Sequence, residues 1–303
     1  MTSSLDEVGS NGILLRRCPG SPLIRVTGAD AAKWLQGIVT SDLNALRDKA
    51  FWGLMLQRSG KVRCEVVGLA VKSDIWMSVV GGEVPEVHSY LDSLILMDDV
   101  NLTLEPAHSL WAIHGVGAVD ARPFDVDPSL VVAEGSSRWI GDCDRVIVID
   151  NSQQSAFLSA LRAQNLEPCT EQEFEQLRVS SGIPKWLVDY SPQDTPHHAG
   201  LFGRAVAEKK GCYIGQEVVC KTEMIGRVSS RLTRIEIDSI TDVHAGAEVQ
   251  ERQTGESAGV VTSVAANASG PSGWAIARLK TTIIQKQSEL TLGESLGRIV
   301  DML

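Results

Sequence analysis

The run EKKGCYIGQEVVCK, residues 208–221, holds the densest group of chemically capable side chains in the chain. The thiol of Cys212 follows two lysines, Lys209 and Lys210, and Lys221 comes shortly after. Cationic neighbours favour a thiolate over a thiol, and the thiolate is the nucleophile. Gly211 and Gly215 let backbone approach a partner closely and permit dihedrals that other residues avoid. Gln216 and Glu217 add an amide and a carboxylate, both suited to the donor–acceptor edge of a heterocycle. A plainer reading is open as well: Cys212 as a small buried residue and Tyr213 as a core aromatic, in an ordinary turn.

Other chemistry is sparse. His197 and His198 precede Cys212 closely enough to reach back to it, but nothing in the spacing aims either at the thiol. The remaining histidines are scattered without ligand spacing. The six cysteines (18, 64, 143, 169, 212 and 220) form no C-x-x-C pair, so no structural metal is expected. Gly115-x-Gly117 is not a dinucleotide fingerprint, because Asp120 stands at the third glycine position and Pro123 would break the helix.

The chain has 303 residues, 43% hydrophobic and 22% charged, and a net charge of −10. That charge argues against a general nucleic-acid field, so no nucleic-acid partner is expected. Within 204–234, however, seven basic side chains stand against three acidic ones. A basic segment in an acidic protein suits an anionic small ligand, although a solvated basic face would look the same. No apolar run approaches the roughly 18 residues that span a bilayer, so no membrane is expected. The opening MTSSLDEVGSNG reads as a frayed tail and not as a targeting signal. The expected location is the cytosol, or an organellar matrix should a targeting peptide be missing.

These side chains need a frame. Residues 23–26 read as a strand, followed by a short helix capped by Asp30 and closed by Gly37. Residues 51–71 read as a hairpin turning at Arg58–Lys61, and 74–80 as a further strand. Helical spacing of Val84, Val87, Leu91 and Leu94 predicts a helix over 83–97, and 101–106 returns as a strand. A strand at 145–150 and a helix over 152–165 follow. LIRVTGADA (23–31) and LWAIHGVGA (110–118) echo each other, which favours a duplicated α+β unit. Thr170 and Glu173 form a capping-box pattern for a helix stopped by Gly182 and Pro184, and 185–207 reads as a loop. Beyond Arg227 come five β segments (230–238, 246–252, 257–265, 273–279 and 295–302) with no intervening helix pattern, a small barrel. The expected division is 1–107, 108–226 and 227–303, with the Cys212 run near a domain junction, a common place for ligand sites.

KKGCYIGQE resembles the K-G-C-Y-x-G-Q-E signature of the YgfZ family, folate-binding iron–sulfur cluster assembly factors. The resemblance runs along most of the chain. RVTGADAAKWLQGIVTSDL is similar to the family's opening segment, with Trp34 for Phe and Ser41 for Asn. SGKVRCE is similar to its glycine turn, with Lys61 for Arg and Glu65 for Asp. LRVSSGIP matches R-x-x-x-G-I-P, and GVVTSVA a barrel strand. The family is related to the glycine-cleavage T-protein, a tetrahydrofolate-dependent aminomethyltransferase. The resemblance therefore implies an α+β fold with two α+β portions around a folate-sized hole and a C-terminal β-barrel. It implies a tetrahydrofolate-binding accessory factor for iron–sulfur proteins, with folate and iron–sulfur client or assembly proteins as partners. Lys210, Gly211, Tyr213, Gly215, Gln216 and Glu217 would form the loop beside the folate, and Cys212 its working thiol. Arg227, Arg178 and Lys61 would supply further folate contacts, Arg227 to the glutamate tail. The T-protein's R-x-E-x-G carboxylate is absent, Ser180 standing in its place. One-carbon transfer to or from folate is the alternative, with Asp194 or Glu65 as the carboxylate for a substrate amine.

Overall fold

A computed structural model describes residues 13–45, 49–71, 73–115, 126–137, 139–140, 144–225, 228–267 and 270–303. The chain divides into two compact units. The first is Met1–Gln57, Arg63–Thr170 and Arg204–Ile214; the second is Arg58–Val62, Glu171–Gly203 and Gly215–Leu303.

The first unit contains two antiparallel sheets. Strands β1 (Ile13–Arg17), β2 (Leu23–Thr27), β3 (Ala50–Leu56), β4 (Val62–Val71), β5 (Asp74–Gly81), β6 (Asn101–Glu105), β7 (His108–Gly115), β8 (Ala133–Ser137) and β9 (Asp144–Asp150) supply them. The first sheet has the order β3-β4-β5-β2-β6 and the second β1-β7-β9-β8. The apolar run of β3 is buried at every position, as a strand covered on both faces must be. Helices α1 (Ala31–Gln36) and α2 (Val84–Asp92) pack Trp34, Leu35, Val87 and Leu91 onto Ile24, Val26 and Met77 of the first sheet. Helix α3 (Gln154–Arg162) packs Phe157 and Leu161 against Trp111, Ile113 and Ile147 of the second. Each echoed segment thus supplies a strand to its own helix-covered sheet, the duplicated α+β arrangement.

Helix α4 (Glu171–Ser180) and helix α5 (Gln216–Ile225) belong to the second unit. Its remaining strands are β10 (Ser230–Ile237), β11 (Glu248–Glu251), β12 (Ser257–Ala266), β13 (Gly273–Lys280), β14 (Leu290–Leu292) and β15 (Ser295–Met302). They close into a barrel in the order β10-β13-β12-β11-β14-β15. β15 buries alternate residues over most of its length, the period-two pattern of a strand with one face inside.

Several elements differ from the sequence reading. Helix α6 (Thr281–Lys286) interrupts the β segments, burying Ile283 and Ile284 in the barrel core, and β14 lies beyond it. Strands β1 and β8 are additional, as is α5, which begins inside the run read as a loop. Helix α2 ends at Asp92, short of the expected 97. Asp30 occupies the cap position of α1, yet its carboxylate accepts from the backbone N–H of Asp99 (2.9 Å) and caps nothing in the helix. No helix among the described residues is long and apolar enough to cross a membrane.

Candidate functional site

The Cys212 run is divided between the two units, and each part has its own support. In the first unit, the segment 205–214 lies along the chain that leaves α1. Ala207 donates its N–H to the Thr40 carbonyl (3.0 Å) and Ile214 to that of Gly37 (3.1 Å). Thr40 adds a side-chain bond, its hydroxyl donating to the Ala205 carbonyl at 2.6 Å. Residues 208–213 form an excursion between these ties. Glu208, Lys209, Gly211 and Cys212 are exposed, whereas Tyr213 is buried.

Lys210 turns inward. Its ammonium donates to the carbonyls of Gln36 (2.8 Å), Val39 (2.5 Å) and Ser41 (2.8 Å). An ammonium has three donors, and all three have partners here. These carbonyls stand at and just beyond the end of α1, where helical acceptors run out of intrahelical donors and the dipole favours a cation. Burial pulls the Lys210 amine down from 10.5 to about 8, while Asp42 acts in the opposite sense. The Tyr213 ring lies 5.2 Å from the amine. A ligand contact by Lys210 would have to displace one of these bonds. Gly211 has open space where a Cβ would stand, so close packing does not demand glycine there.

Glu65 also belongs to the first unit. It is buried and accepts from Trp52 Nε1 at 2.7 Å, which ties the carboxylate to its own sheet. Cys18 and Cys64 are buried, and burial pushes both thiols up to about 12, leaving them inert.

In the second unit, Gly215 (φ +83°) turns the chain into α5. Gln216 and Glu217 are its first two residues, Gln216 half-buried and Glu217 exposed. A carboxylate in this first turn suits the positive end of the helix dipole. The hairpin tip packs here: a Cβ on Gly60 (φ +76°) would meet Val218 at 2.7 Å. Beside it Lys61 donates to Gln193 Oε1 at 2.6 Å. Cys220 is a second exposed thiol, on α5.

Arg178, expected to meet an anionic ligand, is 2% exposed and fully engaged within its unit. Nε and Nη2 donate to the two oxygens of Glu175 (2.8 and 2.5 Å). Nη1 donates to the Ile183 carbonyl (3.1 Å) and Asp189 Oδ2 (2.8 Å), and Nη2 to Ser263 Oγ (2.7 Å). All five guanidinium donors are used. Burial opposes the charge, yet Glu175 and Asp189 hold the guanidinium above its ordinary range. The residue joins α4, the 183–189 turn and β12. Ser180 donates to the Leu177 carbonyl of its own helix (3.0 Å). Arg227 lies outside the described residues, as do residues 116–125 with most of the rejected glycine pattern.

A cavity of about 540 Å³ in the second unit is lined by Leu187, Val188, Tyr190, Asp194, His198 and Arg278, among others. Arg278 Nη1 donates to the His198 carbonyl (3.2 Å) and lies 3.1 Å from Asp194, and Nη2 donates to the Asp189 carbonyl (3.0 Å). Its Nε has no partner among the described residues. Asp194 also accepts from the Ser191 N–H at 2.9 Å, so this carboxylate is already paired. Arg278 did not stand out in the sequence; a cation amid the apolar run of β13 was the available signal. His197 is fully buried, stacked on Phe202 at 4.3 Å, with Nε2 3.1 Å from Glu223 of α5. Burial lowers its pKa and Glu223 opposes that shift. Nε2 is thus engaged with α5 within the second unit.

No family model matches the chain. Among curated proteins it is similar to a mitochondrial iron–sulfur cluster assembly factor IBA57 homolog of Phaeosphaeria nodorum, 25% identical over 234 residues. That match covers 71% of this chain and 53% of the relative, so the chain spans about half of that protein's length. It is also similar to the tRNA-modifying protein YgfZ of Yersinia enterocolitica, 26% identical over 218 residues, covering 67% of this chain and 65% of that one. Among solved structures, the glycine cleavage system aminomethyltransferase T of Bartonella henselae superposes with a TM-score of 0.77 at 17% identity. The superposition covers 96% of this chain and 85% of that one, and carries the fold alone. By sequence the chain is a relative of the YgfZ and IBA57 proteins, and by architecture it has the glycine-cleavage T-protein fold.

Proposed function

We propose that the protein is a tetrahydrofolate-binding accessory factor for the assembly or repair of iron–sulfur proteins, working through the thiol of Cys212. The observation that carries this reading is the exposed Cys212 on a loop tied to the first unit at both ends, within the run that resembles the family signature. Similarity to the fungal iron–sulfur cluster assembly factor homolog supports the iron–sulfur assignment. In redox exchange or transient binding of a partner, a thiol must be reachable and held in place, and this one has both properties.

The folate part is supported by the 540 Å³ cavity. A pterin needs a hydrogen-bonding edge against an apolar face, and a folate tail needs a cation. His198 and Gln193 offer the edge, Leu187, Val188 and Tyr190 the apolar surface, and Arg278 a cation with two of its five donors to spare. The residues present fit the group. Folate, when bound, would supply a one-carbon carrier or a reduced heterocycle; the chain's part is to bind and orient it. Lys61, Gln216 and Glu217 remain proposed contacts, as does Arg227. Lys210 and Arg178 would act through the loops they hold. Iron–sulfur client or assembly proteins are the proposed partners, in the cytosol or an organellar matrix.

The test has two arms. Anaerobic titration with tetrahydrofolate, followed by tryptophan quenching and calorimetry, is expected to saturate and to weaken in Arg278→Met. Failure to bind at millimolar ligand removes the folate part. Cys212→Ala is expected to keep the fold and to lose rescue of iron–sulfur enzyme activity in a deletion strain, and full rescue removes the thiol part.

A further inference from the structure

The family resemblance groups Lys210 with the ligand contacts, yet the geometry gives it another task. The chain leaves Thr40 at Ala207 and returns to Gly37 at Ile214, so residues 208–213 bulge out between two backbone ties. A closed excursion of this length has many conformations, and two end ties do not select one of them. Lys210 stands inside it, and its amine reaches three carbonyls on the opposing chain, those of Gln36, Val39 and Ser41. Those carbonyls converge on one point, which suits a compact three-donor head and not a planar fork. Cys212, two residues on, is exposed, while Tyr213 is buried beside the amine.

We propose that Lys210 is the positioning residue of the Cys212 loop: it pins the middle of the 208–213 excursion to the end of α1 and so sets the direction in which the thiol is presented. This rests on the reading of Cys212 as the working thiol. Lys210 acts through the loop and touches no reacting atom. The charged group acting on its amine is Asp42, and the Tyr213 ring flanks it.

The experiment follows iodoacetamide alkylation of Cys212 by mass spectrometry at pH 7, in a Cys220→Ser background that removes the other described exposed thiol. Lys210→Met is expected to change the alkylation rate severalfold, because the exposed thiol is then presented from an unbraced loop. Lys210→Arg, which keeps the charge without the three-donor head, is expected to change it in the same direction. An unchanged rate overturns the proposal. So does a slower rate in Lys210→Met with a normal rate in Lys210→Arg, since loss of a cation alone lowers the thiolate fraction.

A second measurement reads the loop directly. Hydrogen-exchange protection of residues 208–213 at pH 7 is expected to fall in Lys210→Arg, which keeps the charge, while protection of the sheets of the first unit stays at the wild-type level. Unchanged protection of the loop overturns the proposal even where Lys210→Met does not fold. The Cys212→Ala rescue assay stays separate. Full rescue there, with a Lys210-dependent loop, would leave the pin standing and remove the function built on it.

Discussion

Lys210 in the first unit and Arg178 in the second present one sequence signal, a basic residue in a family-like motif, and both turn inward. Their partners differ in kind. Arg178 meets two carboxylates, a carbonyl and a hydroxyl, so its charge is neutralised inside the unit. Lys210 meets three carbonyls, which carry no formal charge. The consequence appears in protonation. Carboxylates hold the Arg178 guanidinium above its ordinary range against burial, whereas burial brings the Lys210 amine down to about 8. A cation paired with carboxylates is a permanent latch, and one paired with dipoles alone is a latch that titrates. The titrating one sits two residues from the exposed thiol.

The comparison can be broken at its strong end first. Arg178→Met leaves Asp189, fully buried, without its cation, and leaves Glu175 with Lys185 alone. Removing one partner of a buried pair costs about 3–5 kcal/mol, so urea unfolding should show a loss of that order. A loss under 1 kcal/mol would mean that the carboxylates find other partners and that the latch is dispensable. Lys210→Met should cost less, about 1–2 kcal/mol from unmatched carbonyls that water can partly reach. Its penalty should also grow between pH 8 and 10.5, where the wild-type closed state gains stability from its depressed pKa. The Arg178→Met penalty should stay level across that window, and a shared pH dependence would erase the contrast.

Smaller effects sharpen the picture around the second unit. Gly60→Ala places a Cβ 2.7 Å from Val218 at φ +76°, and about 1–2 kcal/mol of destabilisation is expected. Retained stability with intact α5 helicity would show that the hairpin tip is free to move away. His197 has a depressed pKa, so its contribution is complete above 6.5 and is lost as pH falls below that value. The urea midpoint should decline from pH 7 to 5.5, and His197→Phe should flatten the decline; an identical decline in that variant would assign it to other groups. Finally, native alkylation should mark Cys212 and Cys220 well before Cys18 and Cys64, whose thiols are buried and raised to about 12. Early labelling of Cys64 would contradict the packing of the first sheet.

Much of the architecture was legible because periodicity is local. Alternation along Ser295–Met302 and the unbroken apolar run of Ala50–Leu56 announce a half-covered and a fully covered strand without reference to anything distant. Elements without such a signal were missed. Helix α5 opens directly after a glycine with no capping side chain, and only Val219 among its described residues is buried. Helix α6 is six residues long and too short for a helical period to emerge. For the candidate site, the density of chemical groups in 208–221 drew attention to Cys212, which the fold leaves exposed, whereas Arg278 was passed over as one cation inside a strand.

The sequence by itself determined the element types with a strong period, the barrel at the C-terminal end, and the chemical identity of the 208–221 run. Only the tertiary structure decided which way its cations face. Lys210 reads identically whether its amine meets solvent, an anion or a ring of carbonyls, and those carbonyls lie between 169 and 174 residues away in the chain. Arg178 likewise meets Ser263, 85 residues distant. Charge is a property of a residue, but the dielectric and the partners that set its use come from chain segments that folding alone brings near.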